Sequence, residues 1–162
     1  GSEIALVARR MIGEVHENEE SRLRAWLTIS DSTSAYRNRY MMMPRASAVL
    51  DLLFLDETNP RALAFQIASL EQVLAALPRE GPYRSAEHRL ALSLLTELRL
   101  LDAGPLGDPD DDGDRGVLTE LAERCERDLS EISDRIARSF FAHAEQPVAL
   151  VHAGRADRPE VE

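Results

Sequence analysis

One apolar stripe dominates the C-terminal part of the chain: Leu118, Leu121, Cys125, Leu129, Ile132, Ile136 and Phe140 follow one another at steps of three or four residues. With Arg, Glu and Asp on the opposite face, that spacing predicts one amphipathic helix from about Val117 to Ala144, about 40 Å long. A helix of this kind draws most of its stability from packing, so the rest of the chain is read for segments that can cover it.

Such segments recur along the chain. Ile4, Val7, Ala8 and Met11 share a face of a short first helix, and Gly13 with the polar "EVHENEES" reads as a connection. Ser21 is placed to cap a second helix carrying Leu23, Trp26, Leu27 and Ile29, which runs through "SDSTS" into "AYRNRYMMM". Small polar residues inside a helix mark a buried polar track or a kink. After Pro44, "ASAVLDLLFL" is apolar on nearly all sides, as expected at the middle of a bundle. Asn59 as cap and Pro60 at the first helical position open a helix with Leu63, Ile67, Leu70, Leu74 and Leu77 on one stripe, stopped by Pro78. "REGPYR" is a turn, and Ser85 caps a helix bearing Leu90, Leu94, Leu95, Leu98 and Leu101 that stops near Gly104-Pro105. Aromatic residues make up only 5% of the chain while Leu and Ala recur, which favours helix over strand. The expected fold is all-α, a bundle of about five to six helices over residues 3–144 with a long C-terminal helix. Residues 145–162 read as a polar tail, flexible or a linker to a further domain.

Composition narrows the function classes. All 19 basic residues are arginine, a pattern that coding bias explains more simply than a need for guanidinium groups. A net charge of -10 repels a phosphate backbone, and no basic stripe overrides it, so nucleic acid is not an expected partner. No apolar run is long enough to span a bilayer and no signal-peptide pattern is present, so a cytoplasmic protein without a membrane partner is expected. Cys125 is the single cysteine, and without a basic side chain one helical turn away it reads as a buried core thiol.

"DPDDDGDRGVLTE" invites comparison with a calcium loop, because Asp108, Asp110, Asp112 and Gly113 match its opening pattern. The match then breaks: Arg115 stands where a hydrophobic residue belongs, and Thr119 stands at the bidentate carboxylate position. Six acidic residues between Asp102 and Asp114 read instead as a solvated or disordered loop, with at most weak calcium binding. No histidine follows a glutamate by three residues, the arrangement that di-metal bundles use; His16, His88, His143 and His152 read as surface or helix-end residues. The nucleophile-elbow, zinc, P-loop and dinucleotide patterns do not occur. No metal and no cofactor is expected.

One polar constellation remains. Tyr36 and Tyr40 share a helix face with Arg37 and Arg39 beside it, and Asp51 stands inside the most apolar helix. Asp56, Asn59, Arg61 and Gln66 follow. An unpaired carboxylate at Asp51 would cost several kcal/mol, so an arginine partner is expected from Arg37, Arg39 or Arg61. On that reasoning Asp51→Ala should destabilise the fold more than Asp110→Ala. The cluster is either a network that registers the helices or a polar pocket able to clasp an anionic group.

These residues also carry a resemblance. "YRNRY", "VLDLLFLDETNPRALAFQ", "LAALP" and "LSEISDRIARSFFAHA", in that order between about Ser21 and Ala144, resemble the C-terminal half of the Alpha-E domain, an all-helical bacterial family. The family's Glu-Arg helix, of the form "LGRYLERAE", belongs to an N-terminal half, so the resemblance implies a chain that begins within the domain. Tyr36, Arg37, Arg39, Tyr40, Asp51, Asp56, Asn59, Pro60, Arg61 and Gln66 match characteristic positions, none of them a known catalyst. The resemblance implies association with circularly permuted ATP-grasp proteins and transglutaminase-like proteases, in systems that make or modify peptides. The leading expectation is therefore a non-catalytic helical partner or scaffold module. The rival is part of an enzyme whose site joins the polar cluster to the N-terminal half. A third possibility is a homodimer formed through an open helical face. A partner module should lack a convergent pocket at the cluster, whereas an enzyme should line a cleft with its arginines and carboxylates.

Overall fold

A computed structural model describes residues 1–14, 17–78 and 82–144, without the side chains of 140–144. The expectations for His16, His143, His152, Phe140 and the tail from 145 lie outside the described residues. Among those described there are eight α-helices and no strands: α1 (Ser2–Ile12), α2 (Glu19–Ile29), α3 (Thr33–Tyr40), α4 (Ala46–Leu50), α5 (Leu63–Ala76), α6 (Ala86–Arg99), α7 (Ala103–Gly107) and α8 (Gly116–Ala144). No described helix is long and apolar enough to cross a membrane.

The long helix forms where the stripe places it. Leu118, Leu121, Ala122, Cys125 and Ile132 of α8 are buried, with Leu129 and Ile136 packed at the edge of the core. α1 covers one flank of α8 and α6 another. Ala5 and Ala8 are fully buried on α1, and such small side chains let two helix axes approach closely. Arg9 spans this seam to Glu123 and Glu126 at 3.4 and 3.5 Å. Burial pushes the Cys125 thiol up to about 12, helped by the nearby carboxylates of Glu97 and Asp128, so it stays protonated and inert at neutral pH.

The helix count exceeds the expected five to six because "SDSTS" divides one expected helix and because α6 ends at Arg99, so that Gly104-Pro105, expected to stop it, lies within the separate short α7. "SDSTS" ends one helix and begins the next: Asp31 takes a left-handed backbone (φ 49°), and buried Ser32 donates its hydroxyl to the Ser30 carbonyl. The expected apolar helix also changes form along its length: α4 runs directly into a π-helical turn at Asp51–Leu55. Val49, Leu50, Leu52, Leu53 and Phe54 are all buried, and the wider turn carries the consecutive Leu-Leu-Phe side chains inward together. This is the apolar centre that the sequence indicates.

Two predicted starts move. Asn18, not Ser21, flanks α2, and α5 begins at Leu63 rather than Pro60. Asn59-Pro60-Arg61-Ala62 forms a β-turn closed by the Ala62 amide on the Asn59 carbonyl at 2.8 Å, and Pro suits the second position of such a turn as well as it suits a helix start. The Ser85 cap stands as expected, its hydroxyl accepting from the His88 amide at 3.4 Å. His88 stands in the first turn of α6, at a helix end as expected, but it is buried rather than on the surface: its Nε2 meets Glu71 Oε1 at 2.8 Å and ties α6 to α5.

The acidic loop is solvated, as its sequence suggests, with Asp108, Asp110, Asp111, Asp112 and Asp114 all exposed, and its backbone takes a defined path rather than a disordered one. Asp110 Oδ1 accepts from the amides of Asp112 and Asp114 at 3.1 and 2.8 Å, and Gly113 supplies the left-handed residue (φ 87°). Its end is held by Arg115, which is only 4% exposed. Arg115 donates Nε to the Gly107 carbonyl at 2.7 Å and Nη1 to the Ile12 carbonyl at 2.8 Å, and its Nη2 lies 2.6 Å from Glu19 Oε1. The ends of α1 and α7 and the starts of α2 and α8 thus meet on one side chain. Gly107 has no room for a side chain there, since a Cβ would lie 2.6 Å from the Ser47 nitrogen of α4.

Candidate functional site

The polar cluster is assembled by the turn between α3 and α4. Met41 ends α3 in a left-handed conformation (φ 48°), which costs a non-glycine residue about 1 kcal/mol and reverses the chain. The buried Tyr36 fixes the reversed segment: its hydroxyl donates to the Met43 carbonyl and accepts from the Arg45 amide, both at 3.2 Å. One turn on, the Tyr40 ring lies against that of Tyr36 with centroids 4.8 Å apart. The Tyr40 hydroxyl donates to Asp51 Oδ2.

Arg39 is the partner that Asp51 requires. Its Nη2 lies 3.0 Å from Asp51 Oδ2 and its Nη1 2.5 Å from Asp56 Oδ2, with the guanidinium carbon 5.4 Å from the Tyr40 ring centroid. Asp56 completes its shell with the Thr58 amide and hydroxyl on Oδ1, at 2.7 and 2.6 Å. Asn59 then closes the π turn from outside. Its Nδ2 donates to the Leu52 carbonyl at 2.7 Å while its Oδ1 accepts the Arg61 amide at 3.1 Å, so the residue expected to cap a helix start instead satisfies a helix end.

Tyr36, Arg39, Tyr40, Asp51 and Asp56 therefore form one network, with Asn59 beside it. The other candidates lie apart. Arg61 pairs with Asp31, whose side chain is 86% exposed, a contact of little energetic weight. Arg37 is exposed and makes no side-chain hydrogen bond or ion pair among the described residues. Gln66 Oε1 lies beside Gly1 at the start of α1. Asp51 also differs from the buried carboxylate expected of it: its side chain is 35% exposed, while Asp110 holds two backbone amides. The basis for ranking Asp51→Ala as more damaging than Asp110→Ala is thereby removed.

The electrostatics are those of a closed network. Burial, then donation to Asp51, raises the Tyr40 hydroxyl far above its ordinary value, so it neither ionises nor acts as a base near neutral pH. Burial alone would raise Asp56, but the hydrogen bonds from Thr58 and the Arg39 guanidinium outweigh it and hold the carboxyl below its usual range. A depressed native value means that this contribution is present above the unfolded value of about 4 and is lost as pH falls through the native one. Asp56→Asn is expected to flatten the acid side of the melting-temperature profile between about pH 2 and 5, relative to the parent chain. An unchanged acid limb would contradict the role given to Arg39 and Thr58.

None of the network residues lines the grooves that lie along Tyr83–Leu101 and Pro105–Val117. Among the described residues no group of three or more His, Cys, Asp or Glu side chains is placed to hold a metal ion. The structure also adds residues that sequence reasoning missed: Arg115 with Glu19, His88 with Glu71, and Arg99, which grips Glu57 through Nε and Nη2 at 2.6 and 2.7 Å. Arg115 alone left a signal. A cation directly before the N-terminus of a 29-residue helix opposes the helix dipole, so its presence there calls for specific partners.

The sequence pattern of Alpha-E, described as a predicted alpha-helical domain with a conserved ER motif, matches residues 3–141. The chain belongs to the Alpha-E family. Over 124 residues this Alpha-E chain is 29% identical to an uncharacterised protein of Mycobacterium tuberculosis and to an uncharacterised protein of Mycobacterium bovis. The match covers 76% of the chain and 14% of each relative, so the Alpha-E chain spans a small part of the length of the curated relatives it matches. No solved structure matches it.

Proposed function

We infer that this Alpha-E chain is a non-catalytic helical partner or scaffold module serving an ATP-grasp-linked system of peptide synthesis or modification. The observation that carries the non-catalytic part is the closure of the Tyr-Arg-Asp network. Its one guanidinium is shared between two carboxylates, its tyrosine hydroxyl is held protonated, and neither of the two grooves described above opens onto it. A catalytic cluster would instead present unspent charge to a concave site.

The surface beside the network supports a binding role. The turn that Tyr36 braces carries Met41, Met42 and Met43 at 86%, 50% and 56% exposure. Methionine side chains are adaptable and recur at protein-binding surfaces, and here they stand on a turn with a fixed backbone. The occupant of this surface is a circularly permuted ATP-grasp protein, with a transglutaminase-like protease as the second candidate; both come from the family association.

Titration calorimetry with the ATP-grasp protein encoded in the same genome tests this reading. Binding by the parent chain, with at least tenfold loss in a Met41→Glu/Met42→Glu double variant that melts normally, is the expected result. No binding, or undiminished binding by the double variant, contradicts it.

A further inference from the structure

A second surface lies on the opposite side of the functional question, along the outward face of α6. Ala91, Leu94, Leu95 and Leu98 turn inward. The outer stripe carries Arg89, Ser93 and Glu97 at four-residue spacing, and all three line an open groove together with Leu92 and with Tyr83 and Leu100, each 81% exposed. Arg89 donates only to the Arg84 carbonyl, at 3.3 Å, and has no carboxylate partner among the described residues. Glu97 is half-buried and pairs with Arg124 of α8.

We propose that this face of α6 binds a second copy of the same chain, antiparallel, about a two-fold axis through Ser93. The stripe is self-complementary. Reversal about Ser93 brings Arg89 of each protomer opposite Glu97 of the other, so the same pair forms twice and the contact closes on itself. Ridges of four-residue spacing interdigitate at a crossing angle of about -50°, and a small residue at the crossing point lets the two axes approach. Tyr83 and Leu100 supply apolar area on either side of the crossing. Each protomer carries a net charge of -10, so indiscriminate contact is repelled and association requires local matching of this kind. One helix face buries less than the roughly 1,200 Å² of a standard stable interface, so the dimer is weak and reversible.

Sedimentation equilibrium of the whole chain over a range of concentrations reads the dimer directly. The parent chain should dimerise as concentration rises, and Arg89→Glu or Glu97→Arg alone should weaken dimerisation at least tenfold. An equimolar mixture of the two variants should recover it, because each then offers the charge that the other lacks. Glu97→Arg also breaks the bond to Arg124, so a second measurement is independent of it. Ser93→Cys should form a disulfide-linked dimer under copper-phenanthroline oxidation, and Ser133→Cys, exposed on α8, should not. Cys125 is fully buried and stays out of the reaction. A monomer at every concentration overturns the proposal, as does a dimer indifferent to Arg89→Glu or equal cross-linking at both cysteine positions. Dimerisation is measured without the ATP-grasp protein, so its failure leaves the reading of the methionine surface intact.

Discussion

Arg115→Ala is expected to lower the free energy of unfolding by about 3–5 kcal/mol, a large part of the stability of a domain of this size. The side chain is 4% exposed, and its guanidinium meets two backbone carbonyls and the carboxylate of Glu19. Removing it strands the Ile12 and Gly107 carbonyls at the ends of α1 and α7, and it leaves Glu19 without its cation. It also opens a void at the point where the acidic loop enters α8. The Arg115 amide still bonds the Gly13 carbonyl at 2.8 Å, so the backbone path survives while its support is lost. Arg115→Lys should recover only part of the loss, because an ammonium is a point charge and cannot donate to the two carbonyls along the fixed directions of a planar guanidinium while still facing Glu19. Chemical denaturation of the three proteins makes the comparison. A loss below about 1 kcal/mol for the alanine variant would show that the loop and helix ends are held by something else.

Tyr36→Ala is the second large effect, at about 3–5 kcal/mol, because a buried aromatic side chain is deleted from the core beside Tyr40. Tyr36→Phe separates the hydroxyl from the ring. It should cost about 1–2 kcal/mol, since the Met43 carbonyl and the Arg45 amide both lose their partner in a turn strained at Met41. If the phenylalanine variant melted with the parent chain, the tyrosine would be acting through its ring alone. The methionine surface would then owe its shape to other contacts.

How much of this was legible depends on the kind of signal. The apolar steps of α8, α6 and α5 were readable because helical periodicity is local and each stripe faces one core. The break at "SDSTS" was visible as polarity, but whether it bent or ended the helix depended on Asp31 adopting a left-handed backbone. At Asn59-Pro60 the sequence was ambiguous in principle: the same pair opens a helix or fills a β-turn, and the choice was made by the Leu52 carbonyl that the π turn leaves free. The polar cluster could be assembled as a set of residues but not as a geometry. Arg37, Arg39 and Arg61 were equivalent partners for Asp51 until helix phase placed Arg39 beside it and turned Arg37 outward. Long-range links such as Arg115 to Ile12 join residues 103 apart in sequence, and no local pattern encodes them.

On the proposed reading, the Tyr-Arg-Asp network is structural and recognition falls to the surface beside it. Binding of the ATP-grasp protein to the Asp51→Asn and Arg39→Gln variants, measured by calorimetry alongside their melting temperatures, tests this most directly. Lower melting temperatures with affinity within about twofold of the parent chain are expected, because these side chains are spent on each other. Unchanged melting temperatures with binding abolished would contradict it and make the network a site.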